Sequence, residues 1–165
     1  MQASPTRASM RPLVVADAKA VAWLLAEDDI RVALGLPRSA GMLDALALAS
    51  GRETLAQWAV LLSDEAGFSP RLVGLCGLTA GAEAEPDFWY ALDARARGVG
   101  LMTAAARTAL KHGFDDFGLA SVGARTSAAN RKSRALLKRL SFRHLGAGRF
   151  RLSREAFAAS LYRVG

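Results

Sequence analysis

Cysteine, histidine and proline are scarce in this 165-residue chain: one Cys, two His and five Pro. A single Cys76 cannot close an internal disulfide, and with only His112 and His144 beside it no zinc-ligand spacing exists. No structural metal is therefore expected. Cys76 lies in the apolar run Leu-Val-Gly-Leu-Cys-Gly-Leu, where a small buried core residue is expected rather than a nucleophile. No apolar stretch reaches the roughly 18 uninterrupted residues that span a bilayer. The opening Met-Gln-Ala-Ser-Pro-Thr-Arg-Ala-Ser-Met lacks the apolar core of a signal peptide, so a cytoplasmic protein with no membrane partner is expected. At 52% hydrophobic and 22% charged residues the chain is too apolar for intrinsic disorder. Its length suits one domain of about 100 to 200 residues.

Acids are also scarce, but only in the second half. Residues 1–94 carry 7 Lys and Arg against 12 Asp and Glu, net −5, whereas residues 95–165 carry 15 against 3, net +12. The overall +7 conceals two oppositely charged halves. Such a split points to a polyanion on the second half, either a nucleic acid or a phosphorylated small molecule.

The hydrophobic pattern gives an organisation. Met1–Ser9 reads as a loose tail before a single domain over 10–165. Asp17 reads as the N-cap of an amphipathic helix carrying Ala20, Val21, Leu24 and Leu25, with Glu27-Asp28-Asp29 ending the pattern. Met42 to Ala49 reads as a helix, and Ser50-Gly-Arg-Glu53 has capping-box spacing for a further short turn. The runs Trp58–Leu62 and Leu72–Thr79 read as an antiparallel hairpin around a turn at 64–70. Phe88 to Leu92 is aromatic enough for a strand. A long helix follows from Leu101 to about His112, then a strand over 120–126, a basic helix over 131–140, and β-structure from Phe142. This order of elements implies a mixed α/β (α+β) fold: one mostly antiparallel twisted sheet flanked by helices.

Between the aromatic strand and the long helix stands Arg95-Ala-Arg97-Gly98-Val99-Gly100. Glycines without Cβ let successive backbone N–H groups turn toward a phosphate, and the helix N-terminus adds about half a positive charge. A P-loop would need Gly-Lys-Ser/Thr, which is missing; a dinucleotide fingerprint would need Gly or Ala where Thr103 stands. Arg95-x-x-Gly98-x-Gly100 instead matches the Arg/Gln-x-x-Gly-x-Gly/Ala signature of the GNAT acetyltransferases. Four further segments resemble that family in order: Leu72-Val-Gly-Leu-Cys-Gly-Leu78, Tyr90-Ala-Leu-Asp93, Gly100-Leu-Met-Thr103-Ala-Ala105, and Ala124-Arg-Thr126 with Asn130-x-x-Ser133 and Ser141-Phe142. The resemblance covers about residues 10–155 and is greatest to the group of ribosomal-protein N-terminal (Rim-type) acetyltransferases.

The resemblance implies an N-acetyltransferase that uses acetyl-coenzyme A as co-substrate and no metal. Backbone groups of Tyr90, Ala91 and Leu92 would hold the pantetheine arm and thioester. The N–H groups of Gly98, Val99, Gly100, Leu101 and Met102 would take the pyrophosphate with Arg95 and Arg97 nearby, and Asn130 and Ser133 would lie near the sulfur. Asp87, with Glu85 close in sequence, takes the place of the general base that many members carry. A carboxylate found in other members two residues before the Arg is Gly123 here, and the usual general-acid tyrosine is Leu137, which leaves Ser133 as the hydroxyl available to protonate the leaving thiolate. The acceptor is a primary amine: a peptide N-terminus, a polyamine or an aminoglycoside, the acidic first half suiting a cationic molecule. An α-amine with pKa near 8 is about a tenth neutral at pH 7, so it needs the least help from a base. A monomer or homodimer is expected. Two other readings stay open: an acyl-coenzyme A-binding module without turnover, and a nucleic-acid-binding domain built on Arg131, Lys132, Arg134, Lys138 and Arg139, against which the lack of interleaved aromatics weighs.

Overall fold

A polar edge, a doubly buried centre and a second polar edge make up the sheet of the computed structural model, which describes residues 7–52, 54–63, 70–79 and 85–163. Among these residues seven strands pair: β1 (Arg7–Pro12), β2 (Thr54–Ser63), β3 (Arg71–Thr79), β4 (Asp87–Leu92), β5 (Ser121–Arg125), β6 (Arg143–Gly146) and β7 (Arg149–Ser153), in the spatial order β1-β2-β3-β4-β5-β7-β6. Every neighbouring pair is antiparallel except β4 and β5. The expected hairpin is β2–β3, with Ala59 opposite Leu75; of the turn expected at 64–70, residues 64–69 lie outside the described residues.

The central strands are apolar on both faces, and each face meets its own helices. On one side Trp58, Val60, Val73, Cys76, Leu78, Phe88, Val122, Phe150 and Leu152 pack beneath α4 (Leu101–Asp115), α5 (Arg131–Arg139) and α6 (Arg154–Leu161). On the other, Ala59, Leu61, Leu75 and Ala91 meet α1 (Ala18–Leu24), α2 (Asp28–Ala33) and α3 (Met42–Ser50). Cys76 is a core residue, as expected: burial pushes its thiol up to about 12, out of reach of thiolate chemistry at neutral pH. Among the described residues no helix is long and apolar enough to cross a membrane.

Several local expectations change. Arg7–Ser9, expected in the loose tail, open β1, because Arg7 to Pro12 hydrogen-bond along the edge of β2; residues 1–6 lie outside the described residues. Exposed polar side chains are what an edge strand needs, so composition gave no strand signal there. Asp17 stands at the N-cap position of α1, as expected, but its side chain makes no capping hydrogen bond to that helix. Its carboxylate accepts both arms of the Arg11 guanidinium, at 2.7 and 2.8 Å, and the Val14 N–H at 3.0 Å, which closes a 3-10 turn over Val15–Asp17. Asp28 and Asp29 do not end a helix but begin α2, where carboxylates in the first turn oppose the positive end of the helix dipole. Ser50 is the last residue of α3, which stops at Gly51 with φ +64°; the further turn expected there includes Glu53, outside the described residues. Finally, α6 was not anticipated. Its Ser153 cap accepts the Ala156 N–H, and its Phe157 meets Phe114 with ring centres 5.1 Å apart.

Candidate active site

The two parallel strands part almost as soon as they meet. β4 pairs with β5 only where Asp87 stands beside Gly123, the Gly123 N–H donating to the Pro86 carbonyl at 2.8 Å. Beyond that point β4 stays with β3 and β5 follows β7, from Ser121 opposite Ser153 to Arg125 opposite Arg149. The edge of β4 that carries Tyr90, Ala91 and Leu92 thus has no ladder partner from β5, which leaves backbone groups for an extended ligand inside the sheet.

The Gly loop closes one end of this opening. Gly98 and Gly100 have φ of +84° and +76°, and a Cβ at either would meet nothing within 4 Å. The glycines serve backbone conformation rather than room, since a left-handed residue other than Gly costs about 1–2 kcal/mol. Gly100 is the N-cap of the 15-residue α4, and no side chain caps that end. The first N–H groups of the helix, on Leu101 and Met102 among others, therefore have no helical acceptor, and with the loop at Val99 they make a cradle that can take an anion.

The two loop arginines are tied back to acids. Asp93, 1% exposed, accepts the Arg95 N–H at 2.9 Å and its guanidinium at 3.1 and 2.8 Å, with Arg71 at 3.5 Å. The Arg95 hydrogen bonds hold the Asp93 carboxyl below its ordinary value, and the same guanidinium lies 4.9 Å over the Trp23 ring. Arg97 donates twice to the Leu92 carbonyl, at 3.0 and 2.7 Å, and pairs with Asp29 at 2.5 Å and Glu27 at 3.7 Å. Both arginines flank the cradle, but they also bolt β4 and the α1–α2 segment to it. The Leu92 carbonyl, expected to face the pantetheine arm, is occupied by Arg97.

Alternation along β4 then sorts the remaining groups onto opposite faces. Phe88, Tyr90 and Leu92 face α4 and α5; Asp87, Trp89 and Ala91 face the α1–α3 side. On the first face the Tyr90 hydroxyl donates to Ser133 Oγ at 2.7 Å, a contact between residues 43 apart in sequence. Asn130 caps α5, its Oδ1 accepting the Ser133 N–H at 3.0 Å, so Asn130 orients the turn that presents Ser133. Burial pushes the Tyr90 phenol up, outweighing the opposite pull of the Ser133 hydrogen bond. Leu137 is buried in the core one turn further on.

On the second face the Asp87 carboxylate lies over Gly123: a Cβ there would stand 2.4 Å from Asp87 Oδ1. Arg125 Nε is 3.4 Å from Asp87 Oδ2. Glu85 accepts from Ser121 and, at 2.6 Å, from Arg151; burial would raise its pKa, but these two bonds outweigh it and hold the carboxyl below its ordinary value. The structure thus brings Ser133, Tyr90 and Asn130 together and sets Asp87 apart from them, with the opening between β4 and β5 joining the two faces. Reading the sequence missed the Tyr90 side chain, Trp23, Asp93, Arg125, and Glu27 with Asp29. Only Asp93, two residues before Arg95 at a turn, left a local signal.

Comparison with known proteins agrees with this geometry. A family model described as acetyltransferase (GNAT) domain matches residues 7–143. No curated protein sequence matches the chain. Among solved structures, RimJ of Mycobacterium smegmatis in complex with CoA-disulfide superposes with a TM-score of 0.68 at 20% identity, over 96% of this chain and 92% of that one. Spermidine N-acetyltransferase from Vibrio cholerae, in complex with CoA and spermine, gives 0.74 at 15% identity over 92% and 98%. An aminoglycoside acetyltransferase in complex with coenzyme A gives 0.74 at 16% over 93% and 98%.

Proposed function

The chain belongs to the GNAT family of acetyltransferases, and from that premise we propose that it moves an acetyl group from acetyl-coenzyme A to a primary amine, a peptide N-terminal α-amine above all. The observation that carries this reading is the opening between β4 and β5, with a carboxylate on one face and a hydroxyl pair on the other. An amine approaching from the Asp87 side and a thiolate leaving on the Ser133 side would each meet the group it needs.

In this reading the Gly98–Met102 backbone and the α4 N-terminus bind the pyrophosphate, and the open edge of β4 holds the pantetheine arm by main-chain hydrogen bonds. Asp87 accepts a proton from the incoming ammonium, directly or through water. The amine nitrogen bonds to the thioester carbon and the carbon–sulfur bond breaks; Asp87, its first proton passed to solvent, takes the second proton of the nitrogen, and Ser133 passes a proton to the sulfur, replenished from the Tyr90 hydroxyl that already points at it and that water then reprotonates. Coenzyme A thiolate, with a thiol pKa near 8.5, is a good enough leaving group that a hydroxyl pair suffices. Tyr90 thereby takes over from β4 the part that Leu137, turned into the core, cannot play.

The test is a panel of N-terminal peptides, lysine peptides, polyamines and aminoglycosides, with coenzyme A release and product mass as readouts. Faster acetylation of peptide α-amines than of lysine or polyamine nitrogens is expected. Tight acetyl-coenzyme A binding in calorimetry with no product from any amine would replace this reading by that of an acyl-coenzyme A-binding module.

A further inference from the structure

Like charges directly opposite each other on neighbouring strands destabilise a sheet, yet here arginine faces arginine twice. Arg125 stands opposite Arg149 across β5 and β7, and Arg151 opposite Arg143 across β7 and β6. Alternation places these four side chains with Gly123 and Ser121 on the Asp87 face, while Val122, Ala124, Phe150 and Leu152 of the same strands fill the core beneath α4–α6. All four arginines are exposed, since α1–α3 pack over β2–β4 instead. Two have acid partners, Asp87 for Arg125 and Glu85 for Arg151. Arg143 and Arg149 have no carboxylate within 4 Å among the described residues, so the row keeps two positive charges in excess.

A sheet that accepts such repulsion on an uncovered face, running from the proposed base outward, is built to be neutralised by something else. We propose that this arginine row binds the acceptor, and that it selects peptides whose residues just after the N-terminal amine are acidic; the inference rests on the acetyl-transfer reading above. From β5 to β6 is two strand spacings, about 10 Å, which an extended chain covers in about three residues at roughly 3.3 Å each. A small molecule with one anionic group would meet one arginine, not a row. The guanidinium fork matches carboxylates in pairs of hydrogen bonds. With the ammonium at Asp87, acidic side chains at the second to fourth residues would lie against Arg125, Arg149, Arg151 and Arg143. The expectation of a cationic acceptor rested on the net charge of the acidic half, residues 1–94. The described acids of that half are engaged: Asp17 by Arg11, Asp28 by Arg31, Glu27 and Asp29 by Arg97, Asp44 by the Gly41 N–H, Glu85 by Arg151, Asp87 by Arg125 and Asp93 by Arg95.

The experiment compares three C-terminally amidated peptides, Ala-Asp-Glu-Asp-Gly-Trp, Ala-Ser-Gly-Ser-Gly-Trp and Ala-Lys-Arg-Lys-Gly-Trp, on the wild type, Arg149→Glu and Arg143→Glu. Acetylation is followed by mass, and peptide binding to the coenzyme A-saturated protein by calorimetry. The wild type is expected to favour the acidic peptide over the neutral one at least tenfold in kcat/KM, with the gap closing in 0.5 M salt. Arg149→Glu should erase that preference while leaving the KM for acetyl-coenzyme A unchanged. It should not lower Tm, because it converts an Arg–Arg pair into an Arg–Glu pair; Arg143→Glu repeats the test on the outer strand. Acetylation of all three peptides at equal rates overturns the row and leaves acetyl transfer standing. Acidic-peptide binding abolished by Arg149→Glu, with no acetylation, upholds the row and removes the transfer reading. Neither binding nor acetylation overturns both.

Discussion

Replacing Tyr90 by Phe removes one hydroxyl and leaves the ring stacked on Phe88 at 5.9 Å, so the substitution isolates the 2.7 Å bond to Ser133. Two consequences separate. For stability, the buried Ser133 hydroxyl loses its donor, and an unsatisfied buried polar group costs about 1–3 kcal/mol. At about 2–4 °C per kcal/mol for a chain of this size, Tm should fall by about 2–12 °C. For catalysis, a general acid contributes about 10²–10⁴-fold, and the low end applies to a thiolate leaving group. Tyr90→Phe and Ser133→Ala should each lower kcat by about 10²-fold with the KM for acetyl-coenzyme A little changed. If the proton passes from Tyr90 through Ser133, the double variant should be no worse than either single one, because a broken relay cannot be broken twice. The assay is thiol release at saturating acetyl-coenzyme A and peptide, on protein shown folded at the assay temperature. Losses that multiply in the double variant would make the hydroxyls independent, and a fully active Tyr90→Phe would remove the relay. Since burial raises the Tyr90 phenol, it stays protonated through pH 9, and the wild-type rate should show no decline from its ionisation below that pH.

Three other outcomes are expected. Asp87→Asn should lower kcat/KM at pH 7, with the loss shrinking as pH rises and the α-amine deprotonates unaided; a loss equal at every pH between 7 and 9.5 would take Asp87 out of the base role. Gly98→Ala meets no atom within 4 Å but forces a left-handed alanine, about 1–2 kcal/mol; the KM for acetyl-coenzyme A should rise about tenfold if the loop relaxes out of its cradle shape, while unchanged KM would make the cradle irrelevant. Ser141 sits at φ +69°, so Ser141→Gly should stabilise the fold by about 0.5–1 kcal/mol, relief of left-handed strain exceeding the added chain entropy. A lower Tm would mean that the serine side chain does something its backbone angle does not reveal.

Legibility in the sequence followed burial. β2, β3 and the long α4 are buried enough to impose a pattern on their residues, and the loop before α4 needs glycine at two left-handed positions, so all were readable. β1 was not, because its stability comes from backbone pairing with β2 and asks nothing apolar of Arg7–Pro12. α2 was missed because aspartates stop a hydrophobic pattern and start a helix equally well. In the candidate site, Ser133 and Asp87 were named by their places in a motif. The Tyr90 hydroxyl was not, since its partner lies across the β4–β5 parting and only folding makes them neighbours.

Charge is the clearest case of what pattern alone withholds. The acidic and basic halves are not two fields facing a solvent cleft; they interlock. Asp93 holds Arg95, Glu27 and Asp29 hold Arg97, Asp87 holds Arg125 and Glu85 holds Arg151, each pair joining an acid before residue 95 to an arginine at or after it. The exposed pairs among these five add at most about 1 kcal/mol each, so stability alone is a weak reason for them. Their placement is the stronger reason: three clasp the glycine loop and two line the parting of β4 and β5. Among the described residues without an acidic partner are Arg143 and Arg149 and, on α5, Arg131, Lys132 and Lys138, and the α4 N-terminus adds its own partial positive charge. A surface that carries unpaired arginines and lysines suits anions brought from outside. Pyrophosphate on one face and acidic side chains of an acceptor on the other would neutralise that excess.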